Sequence, residues 1–511
     1  MTTTRPLDAR LRAICALSVP SAREEAGRHE YDGVVQDLSP DGVRRSLAAL
    51  GGPAGTAPYP DPHDEAHAAA GERALRVRFG ELELHRSNPA WHIANLDLSG
   101  YDREYAPRVI RNVARLTHLR YWPDAVDMAV TALDRVPAPT ARATLPAARG
   151  LAAQLDGRSG GPYDAARAAH ARLIAHLEHA AEHGEPSAAL GSAALTRLLS
   201  SSEAVDVDLD RLADRAEAER DRLHELLEQA CRRVDPDAAP EATVRRLLAD
   251  HPAAEDVVAE ATALTREVIA WTAGRGLVPY DDGECRVGLV PPSRTGEVAT
   301  MDPAAAYEAD GPSWFRIGLP PATWPPREQD AWLSVFSRTT LPNIAIHEVA
   351  PGHYSHGRAL RRVPGDVRRT VRSEVFTEGW AHYGEELALE EGFRADDPRF
   401  AVGVARDALW RLTRLATVIG QHTGAMSVEE AAARYTADAF LDGPAASVSA
   451  ERGMLNPASI GYTWGKLALR DLRDRAHGRW GTGFSLRRFH AAVLSLGAPP
   501  IGLLDTALER G

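Results

Sequence analysis

The chain has 511 residues, 44% hydrophobic and 25% charged, which is enough apolar material for a large core and argues against global disorder. A net charge of −12 argues against a nucleic-acid or anionic-membrane surface, since both need excess basic groups. Three isolated cysteines, Cys15, Cys231 and Cys285, cannot build a disulfide framework or a cysteine zinc motif, and favour a reducing compartment.

No signal-peptide core and no bilayer-length apolar run is visible, so a soluble, cytoplasmic protein without membrane partners is expected; a homo-oligomer is compatible with the composition. In chain order, residues 51–71 carry Pro53, Pro58, Pro60 and Pro62 and read as a loop. Within it His63 and His67 stand four apart, but Glu65 is misplaced for a base, and a solvated surface pair is expected. Residues 105–136, 163–183 and 209–233 have apolar positions recurring at three and four and read as helices. His176, His179 and His183 share a face of the second and read as surface. Residues 136–146 and 234–240 read as breaks. Residues 286–290 and 314–319, set among turn residues, read as short strands, and helices resume near Pro326. The expectation is a mostly α, multi-helix protein in two halves, residues 1–270 and 271–511. A small antiparallel β element is expected just before the helix that carries His347.

The segment His347-Glu348-Val349-Ala350-Pro351-Gly352-His353 carries the chemistry. A hydrolytic zinc helix ordinarily places two histidines four apart, with a glutamate base after the first. Here the step is six, which rotates the second ring by about 120° on an unbroken helix. Pro351-Gly352 suggests a remedy: two residues bulged out of the helix would return His353 to the position of a fourth-step ligand. Glu348 then suits the base. Further on, Glu378, His382 and Glu385 fall at i, i+4 and i+7 on one helical face. Glu378 is the chosen third ligand and His382 its rival, with the remaining groups orienting the histidines. His356, one turn past His353, reads as a structural or substrate-side neighbour.

These residues resemble the bacterial family catalogued as domain of unknown function 885. Its patterns His-Glu-x-x-Pro-Gly-His and Glu-Gly-Trp-Ala-x-Tyr-x-Glu are present at residues 347–353 and 378–385. Arg414-Leu415, Gly420, His422, Glu451-Arg452 and Tyr462-Thr463-Trp464-Gly465-Lys466 are similar to its later segments, so the specific motifs span roughly residues 314–508. The sequence departs from the family at Asn456-Pro457-Ala458, His356 and Val418, which touches the substrate pocket rather than the proposed ligands. The family resembles helical zinc peptidases of the angiotensin-converting-enzyme and thimet-oligopeptidase kind. That resemblance implies a metallopeptidase-like fold with a deep cleft, and favours Glu378 over His382.

The expected function is therefore zinc-dependent amide hydrolysis of a peptide, with Glu348 as general base. Tyr462, and after it His422, are expected oxyanion donors, and Arg452 an anchor for a substrate carboxylate. The alternatives are a small-molecule amide, ester or lactone hydrolase on the same site, or a non-catalytic helical binding protein.

Overall fold

Helix-favouring sequence forms helix through most of the chain in the computed structural model, which describes residues 5–280, 282–291, 294, 297–308, 311–441 and 443–511. Helices Gly161–His183 and Leu209–Val234 lie where the periodicity puts them, the second capped by the Asp208 side chain accepting from the Arg211 N–H. Residues 105–136 instead form two helices, Arg108–Arg120 and Trp122–Ala132, because Pro123 starts a new first turn.

Two expected breaks are helical for the same reason. Pro62 opens the helix Pro62–Leu75 behind an Asp61 cap, and Pro139 sits in the first turn of Ala138–Gly150, which also accommodates Pro146. His63 and His67 are consequently buried rather than solvated, His63 with Nε2 3.2 Å from the Leu496 carbonyl. Burial lowers the His67 imidazole to about 3. His176 is half-buried, with Nε2 2.9 Å from the Leu133 carbonyl, while His179 and His183 are exposed and stacked on each other.

Three strands, β1 (Cys285–Leu289), β2 (Ala299–Asp302) and β3 (Ser313–Ile317), form one sheet in the order β1-β3-β2. The sheet is mixed, not antiparallel: β2 runs against β3, and the two chain reversals between β1 and β3 leave that pair parallel. From β3, Phe315 and Ile317 pack with Ile346 and Tyr354, which flank the His347 motif, so the sheet buttresses that motif.

The helix Pro398–Thr423 lies along Leu209–Val234, and Leu409, Leu412 and Leu415 share a core with Leu212, Leu223 and Leu227. Lys466, the sole lysine of the chain, is fully buried and donates to Glu219 at 2.7 Å and Glu386 at 3.2 Å. It thereby ties Leu209–Val234 and Glu374–Glu390 to its own helix, Gly461–Trp480. Among the described residues no helix is long and apolar enough to cross a membrane.

Candidate metal centre

The helix Leu341–Glu348 stops after Glu348, Ala350–Pro351 is a cis peptide, and a second helix, His353–Leu360, begins at His353. Gly352 N–H reaches Ile346 O at 3.2 Å and Ser355 N–H reaches Val349 O at 3.2 Å. Both bonds span six residues instead of four, so two residues are inserted, but between two helices rather than as a bulge within one. A Cβ at Gly352 would lie 1.8 Å from the His347 carbonyl oxygen, so only glycine fits. Trp380 Nε1–H donates to the Pro351 carbonyl at 2.9 Å, tying the break to the helix Glu374–Glu390.

The break brings the His347 and His353 rings to 4.8 Å between centroids, at 89° to each other. Glu378 Oε2 lies 3.5 Å from His347 Nε2 and 3.4 Å from His353 Nε2, and ligand atoms of the three side chains all lie within 4.8 Å of one another. Ligands bound at about 2.0–2.1 Å at tetrahedral angles stand about 3.3–3.4 Å apart, so this N, N, O set fits a zinc-sized ion. Glu378 Oε2 is buried and has no hydrogen-bond donor, as an atom reserved for a metal would be. His382 does not join the set: it is buried, and its Nδ1 faces Glu385 at 3.3 Å.

Glu385 is completely buried and sits behind the cluster. It accepts from His347 Nδ1 at 2.6 Å, Asn343 Nδ2 at 3.0 Å and Arg411 Nη1 at 3.0 Å. Carrying the proton on Nδ1 leaves the His347 Nε2 lone pair for the cluster. Burial and Arg411 push the His347 imidazole down, but Glu378 and Glu385 outweigh them and raise it to about 9. Burial opposes ionisation of Glu378 and Glu385 as well. The histidines beside Glu378, and Arg411 with His382 beside Glu385, nevertheless hold both carboxyls well below the usual range. Glu348 is 8% exposed, and burial raises its carboxyl, as suits a proton acceptor.

Tyr462 stacks on His347 at 6.1 Å and 14°, with the Arg411 and Arg414 guanidiniums 5.7 and 5.1 Å from its ring centre. Burial, then Glu378, raises its phenol, which stays a donor. It reaches this position because Glu374–Glu390 and Gly461–Trp480 cross in backbone contact. A Cβ on Gly379 would lie 2.5 Å from Gly465 Cα, and one on Gly465 would lie 2.1 Å from Val375 O. Glu378 adjoins one glycine and Tyr462 stands three residues before the other.

A cavity of about 660 Å³ opens over the cluster, lined by His347, Glu348, His353, Glu378, Tyr462 and the strand β2. His356 also lines it, with Nε2 3.3 Å from Gly497 O and its ring against Phe376, and burial lowers it to about 3. His422 is not in the site. Its Nδ1 accepts from the Leu190 N–H at 3.3 Å and its Nε2 lies 3.2 Å from Gly453 O, so it joins main chains. Arg452 is exposed and away from the cavity lining. Sequence reasoning passed over Asn343, Arg411 and the braces Trp380 and Gly379–Gly465. The last two stand inside the Glu-Gly-Trp-Ala and Tyr-x-x-Gly-Lys patterns; the first two carry no local signal.

Fold and site together define a helical protein with a His-His-Glu cluster, His347 buried and His353 and Glu378 half-buried, on the wall of a polar cavity. The chain belongs to the family DUF885, described as bacterial protein of unknown function, which matches residues 20–508. Membership thus extends well before the segment that carries the specific motifs. No curated protein matches the chain. A solved structure of a candidate lipoprotein of unknown function from Shewanella oneidensis is 18% identical, covers 98% of each chain and superposes with a TM-score of 0.76. One of a candidate lipoprotein from Colwellia psychrerythraea is 15% identical, covers 98% of this chain and 97% of its own, with a TM-score of 0.75. The likeness at these identities is one of fold.

Proposed function

We propose that the protein is a zinc-dependent hydrolase cleaving amide bonds, with peptides as the substrate class. The observation that carries this reading is the convergence of His347, His353 and Glu378, with Glu385 fixing His347 at 2.6 Å. A zinc ion held by the three would supply Lewis-acid polarisation of the carbonyl and a water acidic near neutral pH. Glu348 accepts the proton of the attacking water and passes it to the leaving amine. Tyr462, kept protonated beside His347, donates a hydrogen bond to the oxyanion. The second motif, with the resemblance to helical zinc peptidases, supports assigning Glu378 as a ligand.

Peptides are favoured because β2 is an edge strand and lines the cavity, where an extended chain could pair along it. The cavity, at about 660 Å³, also suits a small-molecule amide or ester, which is the second reading.

The test is Glu348→Gln. It is expected to keep stoichiometric zinc and lose about 10²–10⁴-fold in peptide hydrolysis. Purified wild type that binds no zinc even when zinc is added would sink the hydrolase reading, and undiminished activity in the variant would remove Glu348 from it.

A further inference from the structure

Five arginines line the cavity, and four of them face carboxylates. Arg103 meets Glu308 at 2.7 Å, Arg294 and Arg316 meet Asp302 at 2.7 and 3.0 Å, and Arg372 stands 3.6 Å from Glu25. Arg78 has no ion pair or hydrogen bond among the described residues. It is half-buried, so its charge carries a desolvation cost, and the carboxylates of Glu374 and Glu203 act on it without making contact. Its guanidinium carbon lies over Trp91, 5.1 Å from the ring centre, and Phe79 braces Trp91 edge-on at 5.4 Å.

The backbone beneath it is a π-helical turn, Arg76–Glu81, which buries Val77 and Phe79 while Arg78 lines the cavity. Such turns occur frequently at functional sites. A guanidinium over an aromatic ring keeps in-plane N–H donors that can bind a carboxylate in bidentate fashion. Arg78 and the His347, His353 and Glu378 triad line the same cavity, so a substrate lying over the triad can present a carboxylate to the guanidinium.

We propose that Arg78, held on Trp91, is a specificity-determining residue that binds a carboxylate of the substrate in the cavity over the triad. The proposal rests on the hydrolase reading above for the class of substrate. The carboxylate comes either from the peptide C-terminus or from an acidic side chain.

The probes are short N-acetylated alanine peptides in three forms: free acid, C-terminal amide, and C-terminal amide with one glutamate. Hydrolysis by the wild type is measured as kcat/KM. Binding is measured by calorimetry on the zinc-loaded Glu348→Gln protein. The free acid or the glutamate peptide is expected to exceed the plain amide by about tenfold or more in both measurements. Which of the two does so identifies the source of the carboxylate. The ratio is expected to fall to about one in Arg78→Met, and partly in Arg78→Lys, which keeps the charge but not the fork. Thermal melts check both variants, and the lysine variant carries the test if the methionine variant does not fold. A ratio near one in the wild type, or an unchanged ratio in folded Arg78 variants, overturns the proposal. Arg78-dependent binding without any hydrolysis would leave the anion site standing and remove the peptidase reading. Hydrolysis without Arg78-dependent preference would do the reverse, and neither binding nor hydrolysis would overturn both.

Discussion

Replacing Gly465 by alanine tests whether the helix crossing sets the chemistry. The added Cβ would stand 2.1 Å from Val375 O and 2.7 Å from Gly379 Cα, where ordinary contact begins at 3.4 Å. The two helices must therefore separate by about 1 Å, as overpacking that costs about 1–3 kcal/mol. For a chain of this length the unfolding entropy is about 1 kcal/mol per degree, so the melting temperature should fall by only about 1–3 °C. A displacement of that size between Tyr462 and the cluster costs about 10²-fold in rate. The expected result is thus a folded, barely destabilised protein with kcat/KM on a cleaved peptide down about a hundredfold. Gly478→Ala is the matched control, since it lies on the same helix and its Cβ would meet nothing within 4 Å. It should be neutral or stabilise by up to about 1 kcal/mol through reduced chain entropy. Gly465→Ala with activity within about threefold of the wild type would refute the argument that this crossing aligns Tyr462 with the cluster.

Two further predictions probe groups behind the site. Glu385→Ala is expected to weaken zinc binding by about 10–100-fold in competition with a chelator, and to destabilise the fold by about 3–5 kcal/mol by leaving Arg411 buried without its partner. Unchanged zinc affinity would mean that Glu385 does not orient His347. Glu203 is fully buried, accepts from Ser373 Oγ and the Ile501 N–H, and is raised by burial to about 8 from an ordinary 4.5. The folded state then holds a proton that the unfolded state has released, so stability should fall as pH rises from about 4.5 to about 8 and level off above that. Glu203→Gln should flatten that part of the pH profile in denaturant titrations; an unchanged slope would show that Glu203 is not its source.

What the sequence disclosed was local. His347, Glu348 and His353 are close in the chain, and the six-residue step with Pro351-Gly352 already implied a departure from regular helix. The helices Gly161–His183 and Leu209–Val234 were legible because their apolar spacing repeats over several turns. The misreadings share a cause: a residue type was weighed without its partners. Proline read as a breaker opens helices at Pro62 and Pro139. His63 and His67 read as wet because they neighbour prolines, yet the segment they sit in packs inward. His422 has the spacing of a family motif, but spacing cannot show that Leu190 and Gly453 occupy both ring nitrogens. The strand β2, only four residues long, shows little alternation to read.

The two sequence patterns are parts of one tertiary unit. Gly352 is required by the His347 carbonyl, and Trp380 of the second pattern holds the Pro351 carbonyl that precedes it. Gly379 of the second pattern and Gly465 of the third meet backbone to backbone, which brings Tyr462 to His347. Gly352, Gly379 and Gly465 therefore act on geometry, allowing approaches that a larger side chain would prevent, while Trp380 acts through its hydrogen bond. Arg411 and Asn343 belong to the same unit through Glu385, but lie 26 and 42 residues from it in the chain. An arginine and an asparagine within helical sequence look ordinary until the fold is known. Loss of any brace should thus displace His347, His353 and Glu378 before it unfolds the chain, and under the proposed zinc assignment metal affinity is expected to be a more sensitive measure of such damage than melting temperature.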